Sequence, residues 1–193
     1  MLRKLLLLAA ALVVAACAPA PRKPIEPSPP PPVAPKPAPP AGVRVNGLEQ
    51  TVIEATNGFR GQNRLETLKP NVRLIVIAQN HARNMARQDR FGDTDKNGHV
   101  LDGKGLGYRI QAGGYDFGRV AENVGYQLNK SDPAGSMMQG WKTSPGHRRN
   151  LLLADVSEIG VGAAQGKSGR WYFVQVFGRP SDPPRAIKTK TSK

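Results

Sequence analysis

Apolar positions first fall into a repeating order near Asn46. Leu48, Val52, Ala55 and Phe59 follow one another at spacings of four, three and four, which predicts a first helix with these residues on one face. After Leu68-Lys69-Pro70, Asn71 is placed to cap a second helix whose buried stripe is Leu74, Ala78, Ala82 and Met85. His81 lies beside that stripe, as a residue of the core edge or of the solvated face. Periodicity then stops. Residues 91–116 are rich in Gly and Asp and predict a long loop interrupted by one short helix around Tyr108 to Ala112. Long loops in compact domains are often functional. Over residues 120–128, Glu122, Val124 and Tyr126 alternate with Asn123, Gly125 and Gln127, the period of a strand. Asp132 and Pro133 read as cap and first residue of a third helix with Met137, Met138 and Trp141 inward. Ser144-Pro145 ends it, with Ser144 placed to cap a further turn through Leu152. Residues 158–165 and 170–178 flank Gly166-Lys167-Ser168-Gly169, which predicts an antiparallel hairpin.

The segments on either side carry an address. Residues 1–16 have the form of an export signal, with Arg3 and Lys4 before an apolar run that is too short to span a bilayer. The run ends in Val14-Ala15-Ala16-Cys17, a pattern like that of bacterial lipoprotein processing, in which Cys17 becomes the acylated first residue. Plain secretory cleavage at Ala16-Cys17-Ala18 is the alternative, and the placement of the chain's single cysteine weighs against it. Acyl chains such as palmitate anchor stably when two or more are present, so a membrane is the first expected partner. Ala18 rather than aspartate follows Cys17, which resembles sorting to the outer membrane, facing the periplasm or the surface of a Gram-negative bacterium. Residues 17–45 then form a proline-rich tether, extended at about 3.1 Å per residue. Residues 46–180 form the domain, and the basic tail 181–193 reads as disordered.

Charge changes this picture little. The chain has 28 Lys and Arg against 14 Asp and Glu, which raises the prospect of nucleic acid, anionic membrane or anionic wall as a partner. Residues 46–178, however, hold 17 basic and 12 acidic residues, so the excess lies mainly in the flanking segments. No aromatic-basic stripe or nucleic-acid motif accompanies it, and nucleic acid is not an expected partner.

The order of motifs resembles the CAP superfamily of cysteine-rich secretory, antigen and pathogenesis-related proteins, in its single-domain bacterial branch. The resemblance is carried by residues 57–64 and 74–86, by His99 with Leu101-Asp102-Gly103-Lys104, and by Arg109 with Gly114-Tyr115. Ala121-Glu122-Asn123, Trp141 with Ser144-Pro145-Gly146-His147-Arg148, Asn150-Leu151, Ile159-Gly160-Val161-Gly162 and Gln175-Val176-Phe177-Gly178 complete it. It implies an α+β fold, a three-layer α/β/α sandwich with a small antiparallel sheet. It also implies a cleft in which His99, Glu122 and His147 converge. Many relatives place a second glutamate where this chain has Ser144. Asp93-Thr94 competes with His99 for the family's first histidine position, and the residues that follow His99 and the distance to Arg109 favour His99.

Two imidazoles and a carboxylate suit a divalent metal such as zinc, although no cofactor is required by the sequence. Without a metal, Glu122 would fix the tautomer of one imidazole. His147 is then either a ligand contact or the residue that closes the turn after Pro145-Gly146. Asp93, Asp95 and Asn97 in DTDKNG match the opening of a calcium loop, but Lys104 stands where the loop needs glutamate, and a polar turn is the competing reading. There is no Gly-x-Ser-x-Gly elbow, and Ser144 before proline reads better as a cap than as a nucleophile. Three functions follow from these residues. The first is a lipid-anchored domain whose cleft binds an envelope lipid, a wall component or a peptide. The others are a metal-dependent hydrolase built on the same cleft, and a structural envelope protein held by its cationic tail.

Overall fold

The computed structural model describes residues 42–94 and 96–181. The export signal, Cys17, most of the proline-rich segment, the tail beyond Ser181 and Asp95 lie outside the described residues. The elements run α1 (Gly47–Gln62), β1 (Lys69–Pro70), α2 (Val72–Gln88), α3 (Leu106–Ala112), β2 (Phe117–Gln127), α4 (Pro133–Thr143), α5 (Pro145–Leu151), β3 (Glu158–Gln165) and β4 (Trp171–Pro180).

Asn46 begins α1 with a reciprocal cap. Its side chain accepts from Glu49 N at 2.9 Å while the Glu49 carboxylate accepts from Asn46 N at 2.9 Å. The face α1 buries differs from the predicted one. Glu49, Val52, Ile53, Thr56 and Arg60 are buried, whereas Leu48, Ala55 and Phe59 are half-buried. The rotation is tolerated because each buried polar group finds a partner. Glu49 accepts from Ala163 N at 3.0 Å and from Gln79 Nε2 at 2.9 Å. Arg60 donates to the carbonyls of Glu66, Leu151 and Leu153 at 2.9, 3.0 and 2.7 Å.

The second helix follows its predicted pattern. Asn71 Oδ1 accepts from Arg73 N and Leu74 N at 2.9 and 3.3 Å, and Leu74, Ala78, Ala82 and Met85 are fully buried. Against them β3 presents Gly160 and Gly162, where a Cβ would lie 2.1 Å from Leu74 main chain and 2.4 Å from Ala78 main chain. Without those side chains, α2 rests directly on the sheet.

The sheet has the order β1-β3-β4-β2, with β3–β4 and β4–β2 antiparallel and the short β1 parallel to β3. The β3–β4 hairpin is the predicted one, and β1 carried no periodic signal. Strand β4 is buried on both faces. Phe173 and Phe177 pack with Val52, Trp141 and Leu151 of α1, α4 and α5, while Tyr172, Val174 and Val176 pack with α2 and Ile110 of α3. Each fully buried large apolar side chain contributes about 1.5–3 kcal/mol relative to exposure. This is the three-layer α/β/α arrangement that the sequence resemblance implied.

Strand β2 lies at one edge of the sheet, yet residues Glu122 to Gly125 are all buried. The predicted alternation of one wet and one dry face therefore fails there. Val124 joins the α2-side core, Ala121 packs on the opposite core, and a Cβ at Gly125 would strike Met137 and Trp141. Asp132 caps α4 by accepting from Gly135 N at 2.9 Å, with Pro133 in the first turn, as expected. Ser144 occupies the cap position of α5, but its side chain makes no capping hydrogen bond, which corrects that part of the sequence reading.

Candidate functional site

The loop after α2 is held by hydrogen bonds within itself and by one buried bond to α2. Asp93, at its start, accepts from Asp102 N at 2.7 Å and Gly103 N at 2.9 Å. His81, 3% exposed, lies with Nε2 2.7 Å from the carbonyl of Gly98. A carbonyl only accepts, so Nε2 carries the hydrogen in this contact. Asn97 Oδ1 accepts from His99 N at 3.0 Å. The imidazole of His99 is thereby delivered to β2.

There Glu122 is held from two directions. Arg109, from α3, donates Nη1 to Oε1 at 2.6 Å and Nη2 to Oε2 at 3.1 Å, while His99 Nδ1 lies 2.9 Å from Oε2. Arg109 Nη2 also donates to His99 O at 2.9 Å, so one guanidinium fixes both members of the pair. The Glu122 side chain is 1% exposed and that of His99 46%. Burial by itself pushes the Glu122 carboxyl up, but the hydrogen bonds from His99 and Arg109 and the charge of Arg109 outweigh it and hold the group below its ordinary value. The carboxylate is thus ionised. In the neutral form of the ring, Nδ1–H donates to this carboxylate and Nε2 of half-exposed His99 is left without a hydrogen.

His147 approaches from the other helical layer. Its carbonyl accepts from Asn123 Nδ2 at 3.2 Å, and Asn150 Nδ2 donates to Glu122 O at 3.0 Å and Asn123 Oδ1 at 2.9 Å, which fastens α5 to β2. Its ring lies 6.3 Å from that of Trp141. Nδ1 is buried and has no well-aligned partner, although the Val124 main chain favours its protonated form. Burial, followed by the charge of His99, lowers the His147 pKa against that contribution. Glu122 bonds only one of the two imidazoles, and Ser144 sits at the α4–α5 junction without a bond to any of the three.

The donor set does not fit a metal. Both Glu122 oxygens are taken by Arg109, one of them shared with His99 Nδ1, and among the described residues no three His, Cys, Asp or Glu side chains are grouped to hold an ion. A divalent ion on His99, Glu122 and His147 would require Glu122 to exchange Arg109 for the ion. Of the calcium-loop residues Asp93, Asp95 and Asn97, two are described. Asp93 spends its oxygens on two main-chain amides, Asn97 spends its Oδ1 on His99 N, and Asp95 lies outside those residues.

Four residues of this site escaped the reading of site chemistry from the sequence. Arg109, Asn123 and Asn150 stood only as motif or strand residues, and His81 only as a neighbour of a stripe. Each acts on a partner far along the chain, so nothing local announces its role.

Comparison with known proteins bears on the family and the fold. The sequence pattern of the cysteine-rich secretory protein family, CAP, matches residues 53–177. The membrane protein YlbC of Bacillus subtilis strain 168 is 28% identical over 130 residues, covering 67% of this chain and 34% of its own length. An extracellular protein containing an SCP domain, from Bacillus anthracis strain Ames, is 28% identical, with a TM-score of 0.59 over 69% of this chain and 40% of its own. This chain thus spans well under half the length of either relative. An outer surface protein of Borrelia burgdorferi has the same fold at 19% identity, with a TM-score of 0.60 over 72% of this chain and 97% of its own. The matched pattern reaches from α1 through β4 and takes in His99, Arg109, Glu122 and His147, and by it this chain belongs to the cysteine-rich secretory protein family, CAP.

Proposed function

We propose that this protein is exported, anchored by acyl chains on Cys17, and uses the cleft at His99 to bind a ligand of the cell envelope. The observation that supports this reading most is the pair formed by buried, ionised Glu122 and half-exposed His99. Glu122 and Arg109 hold the ring in one tautomer, so that its outer nitrogen accepts a hydrogen bond from a hydroxyl or amide. The ligand class is an envelope lipid, a wall component or a peptide, each of which carries such donors. Because the ring is fixed before the ligand arrives, less ordering is needed on binding.

The hydrolase reading draws on the same pair, since a carboxylate behind an imidazole suits a general base. Its metal-dependent form requires Glu122 to leave Arg109, and Ser144 makes no contact with His99 or His147. Binding is the function the geometry favours.

The test is a titration followed through the imidazole proton resonances of His99 and His147. Phosphatidylethanolamine micelles, soluble muropeptides and a short peptide mixture are added separately to the full chain. One class is expected to move the His99 signal, and His99→Ala, still folded by circular dichroism, is expected to lose that binding. Binding of all three classes unaffected by His99→Ala overturns the reading of this cleft. The anchor is tested by incorporation of a labelled fatty acid in cells, which Cys17→Ser is expected to abolish. Undiminished labelling overturns the assignment to Cys17.

A further inference from the structure

One cleft among the described residues is lined by neither His99 nor His147. That cleft, of about 820 Å3, lies between α2 and α3 and the loop that joins them. Its base includes Ile77 and Leu101, and its rim carries Arg83, Arg87 and Lys104. The size is that of a pocket for a small ligand or a few residues of a peptide.

The charges of the rim are unbalanced. Arg83 donates to Gln79 Oε1 at 2.7 Å and Asn80 Oδ1 at 3.2 Å, and Arg87 to Asn84 Oδ1, all neutral acceptors. Lys104 Nζ stands 5.6 Å from the Tyr108 ring centroid. The acidic side chain that lines the cleft, Asp102, is already bound to Asn84, Gln88 and Arg90. Arg83 and Arg87 are one helical turn apart, where like charges repel, so an anion between them relieves the repulsion. Two guanidinium groups without a carboxylate partner among the described residues, Arg83 and Arg87, thus line one cleft with Lys104, whose charge acts on Asp102.

Chemistry narrows the occupant. Guanidinium forks match planar carboxylates in a two-pronged geometry. Ile77 is 4% and Leu101 1% exposed, so the base itself presents little apolar surface, while the exposed Tyr108 ring beside it gives one apolar side chain of an occupant a place to rest. The chain's own termini do not suit the cleft, because residues 18–41 and 182–193 each hold more basic than acidic residues.

We propose that the cleft between α2 and α3 is a docking site for an acidic peptide segment of a partner protein, with carboxylates on Arg83, Arg87 and Lys104. Arg109 also lines this cleft while holding Glu122, so the docking site adjoins the Glu122–His99 pair without including either residue in its lining. The proposal does not depend on what the His99 cleft binds.

Fluorescence anisotropy with the full chain tests it, using a labelled oligoglutamate peptide that contains one leucine. The peptide is expected to bind at low salt and to weaken steeply as salt is added, and its glutamine counterpart is expected not to bind. Arg83→Glu with Arg87→Glu is expected to weaken binding at least tenfold. A second variant, Arg87→Glu with Lys104→Glu, leaves the Arg83–Gln79 contact in place and is expected to do the same. Both retain the basic tail, so residual binding reports the tail alone. His99→Ala is expected to leave peptide affinity unchanged, which separates failure of this site from failure of the His99 cleft. No binding at low salt, or binding that both charge-reversed variants retain, overturns the proposal. So does displacement of the peptide by anionic lipid vesicles or by polygalacturonate in wild type and not in the variants.

Discussion

Arg109 reaches across from α3 to place both terminal nitrogens on the Glu122 carboxylate, at 2.6 and 3.1 Å, in a site where the acid is 1% exposed. The pair joins a helix of one layer to the edge strand of the sheet. Loss of either partner has unequal consequences. Arg109→Ala strands a buried carboxylate and is expected to destabilise the fold by about 3–5 kcal/mol. Glu122→Gln keeps an acceptor for Arg109 and removes the charge, and is expected to be the milder change. Urea unfolding of the two variants against wild type is the measurement, and equal stability of wild type and Arg109→Ala would contradict the role given to the pair.

Acid should weaken the protein in two stages. His81 has its pKa lowered from 6.5, first by burial and then by the charge of Arg109, against opposing contributions from Glu122 and the Gly98 carbonyl. As pH falls below 6.5, the unfolded chain takes up a proton that folded His81 refuses, so stability declines until the folded value is reached. His147, also lowered from 6.5, adds to the same decline. Glu122 is lowered from 4.5, so its contribution is complete above that pH and is lost as pH falls through the folded value. Urea midpoints between neutral pH and pH about 4 should fall throughout. His81→Gln should flatten the upper stage and leave the lower one in place.

Arg60 is fully buried and spends its donors on three carbonyls, Glu66, Leu151 and Leu153, tying the end of α1 to the segment that ends α5. Arg60→Ala removes the donors and opens a cavity, and is expected to cost about 3 kcal/mol or more. Arg60→Lys should recover part of this, because an ammonium can reach one or two of the acceptors. Thermal unfolding of both variants decides the order.

Gly162 faces Ala78 so closely that an added Cβ would lie 2.4 Å from its main chain. Gly162→Ala must lift α2 from β3, and is expected to destabilise by about 1–3 kcal/mol. Gly169 meets nothing within 4 Å, but its φ of +82° makes a substitution there a matter of backbone strain alone. Calorimetry on Gly162→Ala and Gly169→Ala separates contact from strain, with the larger loss expected at Gly162.

Legibility in the sequence followed the range of the forces involved. The stripe of α2, the Asp132-Pro133 start of α4 and the β3–β4 hairpin were readable because each is set by neighbours within one or two turns of chain. The buried face of α1 was not. Thr56 and Glu49 look like surface residues until Gln175 donates to one at 2.7 Å and Ala163 to the other at 3.0 Å, both more than a hundred positions away. Strand β2 misled for a related reason, since alternation records one wet face and here both faces are covered along the middle of the strand. At the site, motif resemblance named His99, Glu122 and His147. The guanidinium that orders two of them became visible only as a contact.

The first turn of α1 carries a mechanical consequence. Gln79 Nε2 holds the carbonyl of Arg44 at 2.8 Å and the Glu49 carboxylate at 2.9 Å, and Glu49 in turn grips the main chain of β3 at Ala163. A pull entering from the amino-terminal side meets this clasp before it meets the helix. Tension is shared out to α2 and to the sheet at the outset, so the body resists being unravelled from the end at which it would be tugged.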